Sequence, residues 1–180
     1  RVSPNDASWY LPSDIDLSPP NIHDGQTAPL LRLDYEHRGR ASDAPLAITR
    51  IFFGYQGPAG PDNLDRNQAS ALFTAIDLYA DDGDGTFESN QDTIVGTLTE
   101  FPSVYTFLSF ELGNPAMQLS PGQRRSYFVT VTTTSDASQQ SPRDFRIYTG
   151  SPEIVEVNSG TPSPPAVLFS GTTRLIACDR

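Results

Sequence analysis

Short runs in which apolar and polar residues alternate recur roughly every 10 to 15 residues along this chain, and they restrict it to folds built from strands. The clearest run is Ser126 to Thr134, where Tyr127, Val129 and Val131 face one way and Phe128, Thr130 and Thr132 the other. Successive side chains of a strand point to opposite faces, so a run of this kind buries one face against a second layer. Leu31, Leu33 and Tyr35 alternate with Arg32, Asp34 and Glu36, and Leu46 to Phe53 ends in Ile51-Phe52-Phe53. Further strand-like runs are Leu72 to Tyr79, Thr93 to Thr97, Tyr105 to Leu112 and Asp144 to Tyr148, followed by three shorter ones that end at Cys178. Pro, Gly, Asn and Asp punctuate them. Only Asn63 to Ala71, with Asp62 as a cap, suits a short helix. The expected fold is all-β: one antiparallel sandwich whose core is fed by Leu31, Leu33, Ile48, Ile76, Leu78, Phe110, Tyr127, Val129, Val131, Phe145 and Ile147.

The length of 180 residues is enough for one well-buried core. A net charge of −10 argues against nucleic acid and anionic membranes, which need a basic patch. All 12 basic residues are Arg, which excludes Schiff-base and P-loop lysine chemistry. Cys178 is the only cysteine, so no internal disulfide forms. One Cys with His23 and His37 does not make a zinc site without carboxylates. No segment approaches the roughly 20 apolar residues of a membrane span, so no membrane insertion is expected. No nucleophile elbow, zinc-binding His pair or phosphate loop occurs, and the chain is read as a non-enzyme. No N-glycosylation sequon occurs; the Pro-rich stretch 159–165 is either a plain stiff loop, the default reading, or one whose Ser and Thr carry O-glycans.

Residues 1–28 read as an extended arm ahead of the sandwich at 29–180. Trp9, Leu11, Ile15 and Leu17 fall on one face of an extended chain, with Tyr10, Pro12, Asp14 and Asp16 on the other. Pro19-Pro20 then blocks continuation as a central strand. Two readings stand: the arm is the first strand or a flap of its own sandwich, or it is a donor strand that completes a neighbour.

The segment 81–92 holds five carboxylates, Asp81, Asp82, Asp84, Glu88 and Asp92, and two glycines. Carboxylates this close repel one another unless water or a cation screens them, and glycines let the backbone wrap a cation. In the register of an EF-type loop that puts Gly85 at its glycine position, Ala80 and Gln91 occupy the two anchor positions. Asp81 and Asp92 serve only in a different geometry, with the Thr86 carbonyl between them. The loop is thus either a calcium site built from those five acids or a solvated hairpin connection held by side-chain-to-backbone bonds.

The run Asp77-Leu78-Tyr79-Ala80-Asp81-Asp82-Gly83-Asp84-Gly85-Thr86-Phe87, followed by Asp92-Thr93-Ile94-Val95-Gly96-Thr97, resembles a pattern of bacterial extracellular immunoglobulin-like β-sandwich modules. So does Pro121-Gly122-Gln123-Arg124-Arg125-Ser126-Tyr127-Phe128-Val129-Thr130-Val131. The resemblance covers roughly residues 29 to 150. It implies an immunoglobulin-like sandwich, secreted or displayed on a cell surface. The arm is similar to the donor strands of pilus and fibre subunits. From this follows the leading expectation: a structural subunit of an extracellular fibre or pilus-like filament, a homopolymer of copies of itself joined through Trp9, Leu11, Ile15 and Leu17. The alternative is a calcium-stiffened surface adhesin or carbohydrate-binding module with a glycan as ligand. A fibre subunit needs the arm in a neighbour's groove; a binding module needs exposed aromatics beside polar groups.

Overall fold

The computed structural model describes residues 13–57, 64–102, 105–150, 152–157, 168–169 and 173–176. In chain order the strands are β1 (Ser13–Asp16), β2 (Asn21–His23), β3 (Thr27–Glu36), β4 (Leu46–Gln56), β5 (Phe73–Ala80), β6 (Thr93–Leu98), β7 (Tyr105–Ser109), β8 (Gln118–Leu119), β9 (Arg124–Thr133), β10 (Asp144–Thr149), β11 (Glu153–Glu156), β12 (Leu168–Phe169) and β13 (Thr173–Ile176), with one helix, α1 (Arg66–Leu72), between β4 and β5. One sheet runs β1-β3-β9-β5-β6. The other runs β11-β4-β10-β13-β2, with β7 and β8 also paired to β4 and β12 to β10. Pairing is antiparallel except between β13 and β2. The chain is an all-β sandwich, as the alternating runs predict.

Leu31, Leu33, Ile48, Ile76, Leu78, Tyr127, Val129, Val131, Phe145 and Ile147 are all buried between the sheets, and Phe110 packs against them half-buried. One end of the core is aromatic. Phe73 meets Phe145 at 4.7 Å between centroids and Phe101 at 6.0 Å, both edge to face, an arrangement the ring quadrupoles favour. Tyr127 lies in the core because its hydroxyl reaches the Ala116 carbonyl, at 2.6 Å.

The helix starts later than its sequence suggests. Asp65, not Asp62, is the cap, and it exchanges bonds with Gln68: Gln68 N donates to Asp65 Oδ1 and Asp65 N to Gln68 Oε1, each at 2.9 Å. This capping box satisfies two backbone donors that a helix start otherwise leaves open.

The described part of the arm joins its own sandwich in this chain. β1 pairs with β3, β2 pairs with β13, and β3 already begins at Thr27, so residues 13–28 contribute to both sheets. The β1 register is informative. Ile15 lies opposite Arg32, and Asp16 opposite Leu31. Directly opposed residues share a face, so Ile15 stands on the outer face of the sheet, where it is 41 % exposed.

A second departure concerns β9. Alternation predicts an open outer face at Phe128 and Thr130, yet both are buried. Phe87, from the loop between β5 and β6, folds back over that face. Its ring stands 5.1 Å from Tyr79 and 5.6 Å from Phe128. The loop is therefore anchored by an aromatic side chain rather than standing free in solvent.

Candidate cation loop and adjoining cleft

The β5–β6 hairpin is closed by a loop whose aspartates hold their own backbone. Asp81 Oδ1 accepts from Gly83 N at 3.0 Å and from Gly85 N at 3.1 Å. Asp82 Oδ1 accepts from Asp84 N, and Asp84 Oδ1 from Thr86 N. Asp92 ties the two limbs together: Oδ1 accepts from Asp82 N at 3.1 Å and Oδ2 from Glu88 N at 2.9 Å. Gly83 and Gly85 have φ of 115° and 78°, a region in which a Cβ is strained, so the tight curl depends on them.

Asp81, Asp82 and Asp92 each bring one carboxylate oxygen into a group lying within 4.8 Å of one another. Asp84 and Glu88 are not in that group. Glu88 is nevertheless coupled to it. Partial burial, and then Asp84, Asp82, Asp92 and Asp81, push its carboxyl above the ordinary value. Glu88 Oε2 is buried with no hydrogen-bond partner. A carboxylate that feels the charge of four others is in an environment that a divalent cation would relieve. Oxygen-only donors suit calcium among such ions. Asp81, Asp82 and Asp92 are the residues that could hold such an ion.

A network unforeseen in the sequence supports the loop from the sheet. Arg32 on β3 donates through Nε and Nη2 to both oxygens of Asp34, at 3.0 and 3.1 Å, and through Nη1 to the Gly85 carbonyl at 3.0 Å. Arg124 on β9 donates to the same Asp34 carboxylate. Burial by itself would raise the Asp34 carboxyl; hydrogen bonds from Arg32, Ser126 and Arg124 outweigh it and hold the group at about 2. The bond to Asp34 correspondingly raises Arg32.

Between the loop and the start of β9 lies a cleft of about 650 Å³, lined by Arg32, Arg124, Arg125, Gln123, Ser126, Asp81, Asp84 and the glycines of the loop. No lining side chain is apolar. The Arg125 side chain leaves β9 on the opposite face, beside Tyr35, and donates to the Ala116 carbonyl at 3.4 Å. Asp81 belongs both to the cleft wall and to the carboxylate group. The only sequence hint of the cleft was the Arg124-Arg125 pair after the Pro121-Gly122 turn. Nothing in the spacing shows that it meets Arg32.

Of the arm residues, Trp9 and Leu11 lie outside the described residues. Ile15 is exposed, and half-buried Leu17 donates its backbone N–H to the Leu30 carbonyl at 3.0 Å. Exposed aromatics beside polar groups occur on the second sheet. Phe107, 46 % exposed, meets Phe52 at 5.8 Å. The Arg50 guanidinium covers the Phe107 ring at 4.7 Å and is held by Glu153 at 3.1 Å.

No protein-family model and no curated protein matches this chain. Among solved structures, it aligns with AvmM, whose structure is described as catalysing macrocyclization in alchivemycin A biosynthesis. That match has 13% identity and a TM-score of 0.44, over 93% of this chain and 88% of the other. It also aligns with a cohesin module from a Clostridium perfringens family 33 glycoside hydrolase, at 9% identity and a TM-score of 0.40, over 92% and 97%. Both are likenesses of β-rich architecture.

Proposed function

We propose that the chain is a calcium-stiffened surface module that binds carbohydrate, of the immunoglobulin-like kind displayed outside bacterial cells. The observation that carries this reading is the cleft lined by polar and charged residues that opens beside the carboxylate group of Asp81, Asp82 and Asp92. A cleft of this size suits a small saccharide, and its hydroxyls need the dense donors and acceptors found there. Phe52 and Phe107 support the same class of function but are the poorer site, because Arg50 already lies over the Phe107 ring. The proposed role is binding. Two measurements test it. Calcium should raise the melting temperature and a chelator should reverse the gain, because a ligand that binds only the folded state stabilises it. The protein should also be retained by a subset of immobilised polysaccharides. No retention on any of them would refute the binding role, and a melting temperature unmoved by about 1 mM calcium would refute the cation.

A second reading keeps the arm as a polymerising element, and the placement of Ile15 favours it. Ile15 faces out beside Arg32, so the sandwich does not cover this residue of the stripe. The stripe formed with Trp9, Leu11 and Leu17 would find burial against another copy of the chain, giving a homopolymeric fibre. Fully burying four such side chains contributes roughly 6 to 12 kcal/mol before ordering costs. Electron microscopy of concentrated protein, showing fibres or monomers, separates the two readings.

A further inference from the structure

We propose that the open edge at β6 takes the β1 edge of a second copy of this chain, so that the five-stranded sheet runs on from copy to copy. This names the acceptor surface for the fibre reading and rests on it.

Charge is the first ground. The chain holds 22 acidic and 12 basic residues. Among the described strands of four or more residues, only β6 and β7 carry no charged side chain, and neither holds a proline. Among the described residues each is paired on one side only, β6 with β5 and β7 with β4. The two edges adjoin, since a Cβ at Gly96 would stand 2.8 Å from the Leu108 side chain. Edge strands are usually blunted by charge or proline, because an unpaired ladder is a template for another strand. On this side of the sandwich both devices are missing. Ile94 on β6 and Phe107 on β7 are also the most exposed large apolar side chains among the described residues, at 53% and 46%.

Register is the second ground, and it identifies the partner. Ile15 lies opposite Arg32, Arg32 opposite Phe128, Phe128 opposite Tyr79, and Tyr79 opposite Ile94. Opposed residues share a face. One row therefore crosses all five strands on the outer face and ends in an exposed isoleucine at each edge. Every pairing in this sheet is antiparallel, so β1 and β6, four pairings apart, run in the same direction. A copy shifted along the row without turning over lays its β1 beside β6, parallel, with its Ile15 against Ile94. Val95, the extra residue of the β6 bulge, lies next to the row and does not interrupt it. Asp14 and Asp16 stand on the other face of β1, opposite Leu33 and Leu31, and β6 has no acid to repel them. Two β1 edges together would instead bring four aspartates into contact, which like-charge repulsion opposes. A head-to-tail junction of this kind does not close on itself, and the twist of the sheet turns it into a helical filament.

The test is electron microscopy and sedimentation of the concentrated full chain, with Ile94→Lys and Thr93→Lys as variants. Both side chains are exposed, so circular dichroism should show the sandwich intact, and Thr93→Lys decides if Ile94→Lys unfolds. The parent should form filaments with a subunit repeat of about 24 Å, five strands at roughly 4.8 Å each. Each lysine variant should raise the concentration needed for assembly by at least about tenfold. In a Cys178→Ser background, oxidising a mixture of Ile15→Cys and Ile94→Cys proteins should link one to the other faster than either to itself. Filaments that form equally well from both lysine variants would overturn this proposal and leave the fibre reading standing. Ile94→Cys linking chiefly to itself would do the same. Parent protein that stays monomeric would overturn both.

Discussion

Replacing Asp34 by Asn tests whether the Arg32–Asp34–Arg124 network stabilises the fold or merely decorates it. The carboxylate is buried, with 3% of its side chain exposed, and lies at about 2 against an ordinary value of 3.8. Each pH unit between the unfolded and folded values is worth about 1.36 kcal/mol, so the ionised group contributes about 2 kcal/mol at neutral pH. Arg124 is open to solvent, and its screening makes this an upper figure. The sign follows from the depressed folded value. Protons bind the unfolded chain more readily, so the contribution is complete above about pH 4 and is lost as pH falls towards about 2. Urea unfolding of both proteins across this range should show Asp34→Asn less stable by about 2 kcal/mol at pH 7, with the gap closing towards pH 2. A gap independent of pH would refute the argument, because the loss would then come from shape rather than charge. No gap at pH 7 would refute it more directly.

Gly85→Ala should destabilise the protein by about 1 to 2 kcal/mol in urea unfolding and weaken the proposed calcium binding, because φ is 78° and the new Cβ would stand 3.2 Å from Arg32 Nη1. Val129→Ala should cost on the order of 2 kcal/mol by the same assay, since the side chain is wholly buried between the sheets. Asp65→Ala should cost about 1 kcal/mol through loss of the capping box. Deleting residues 1–18 should leave a folded sandwich by circular dichroism, since β1 is an edge strand of four residues; an unfolded product would make the arm an integral first strand.

Alternation was enough to identify the sandwich and to name residues that are buried in its core, but it missed much of that core, Tyr55, Phe73 and Phe101 among it. Tyr127, Val129 and Val131 must share a face in any strand, and that face is apolar. The acidic loop was legible as well, because Asp81, Asp82 and Asp92 lie close along the chain. Sequence could not say which carboxylates meet. That depended on Asp92 reaching back to the Asp82 and Glu88 amides, and on Phe87 pinning the loop over Phe128. The orientation of the arm was equally out of reach. Its period-2 pattern shows which residues share a face but not which face meets the core, and one residue of register decides that. In this chain the pairing of Ile15 with Arg32 sends Ile15 outward. The cleft was least accessible of all. Arg32 and Arg124 are 92 positions apart and come together only because β3 and β9 pair, with Asp34 beside Ser126. Local pattern specifies strands and faces; contacts between distant strands, and the charges they gather, exist only once the sheets have formed.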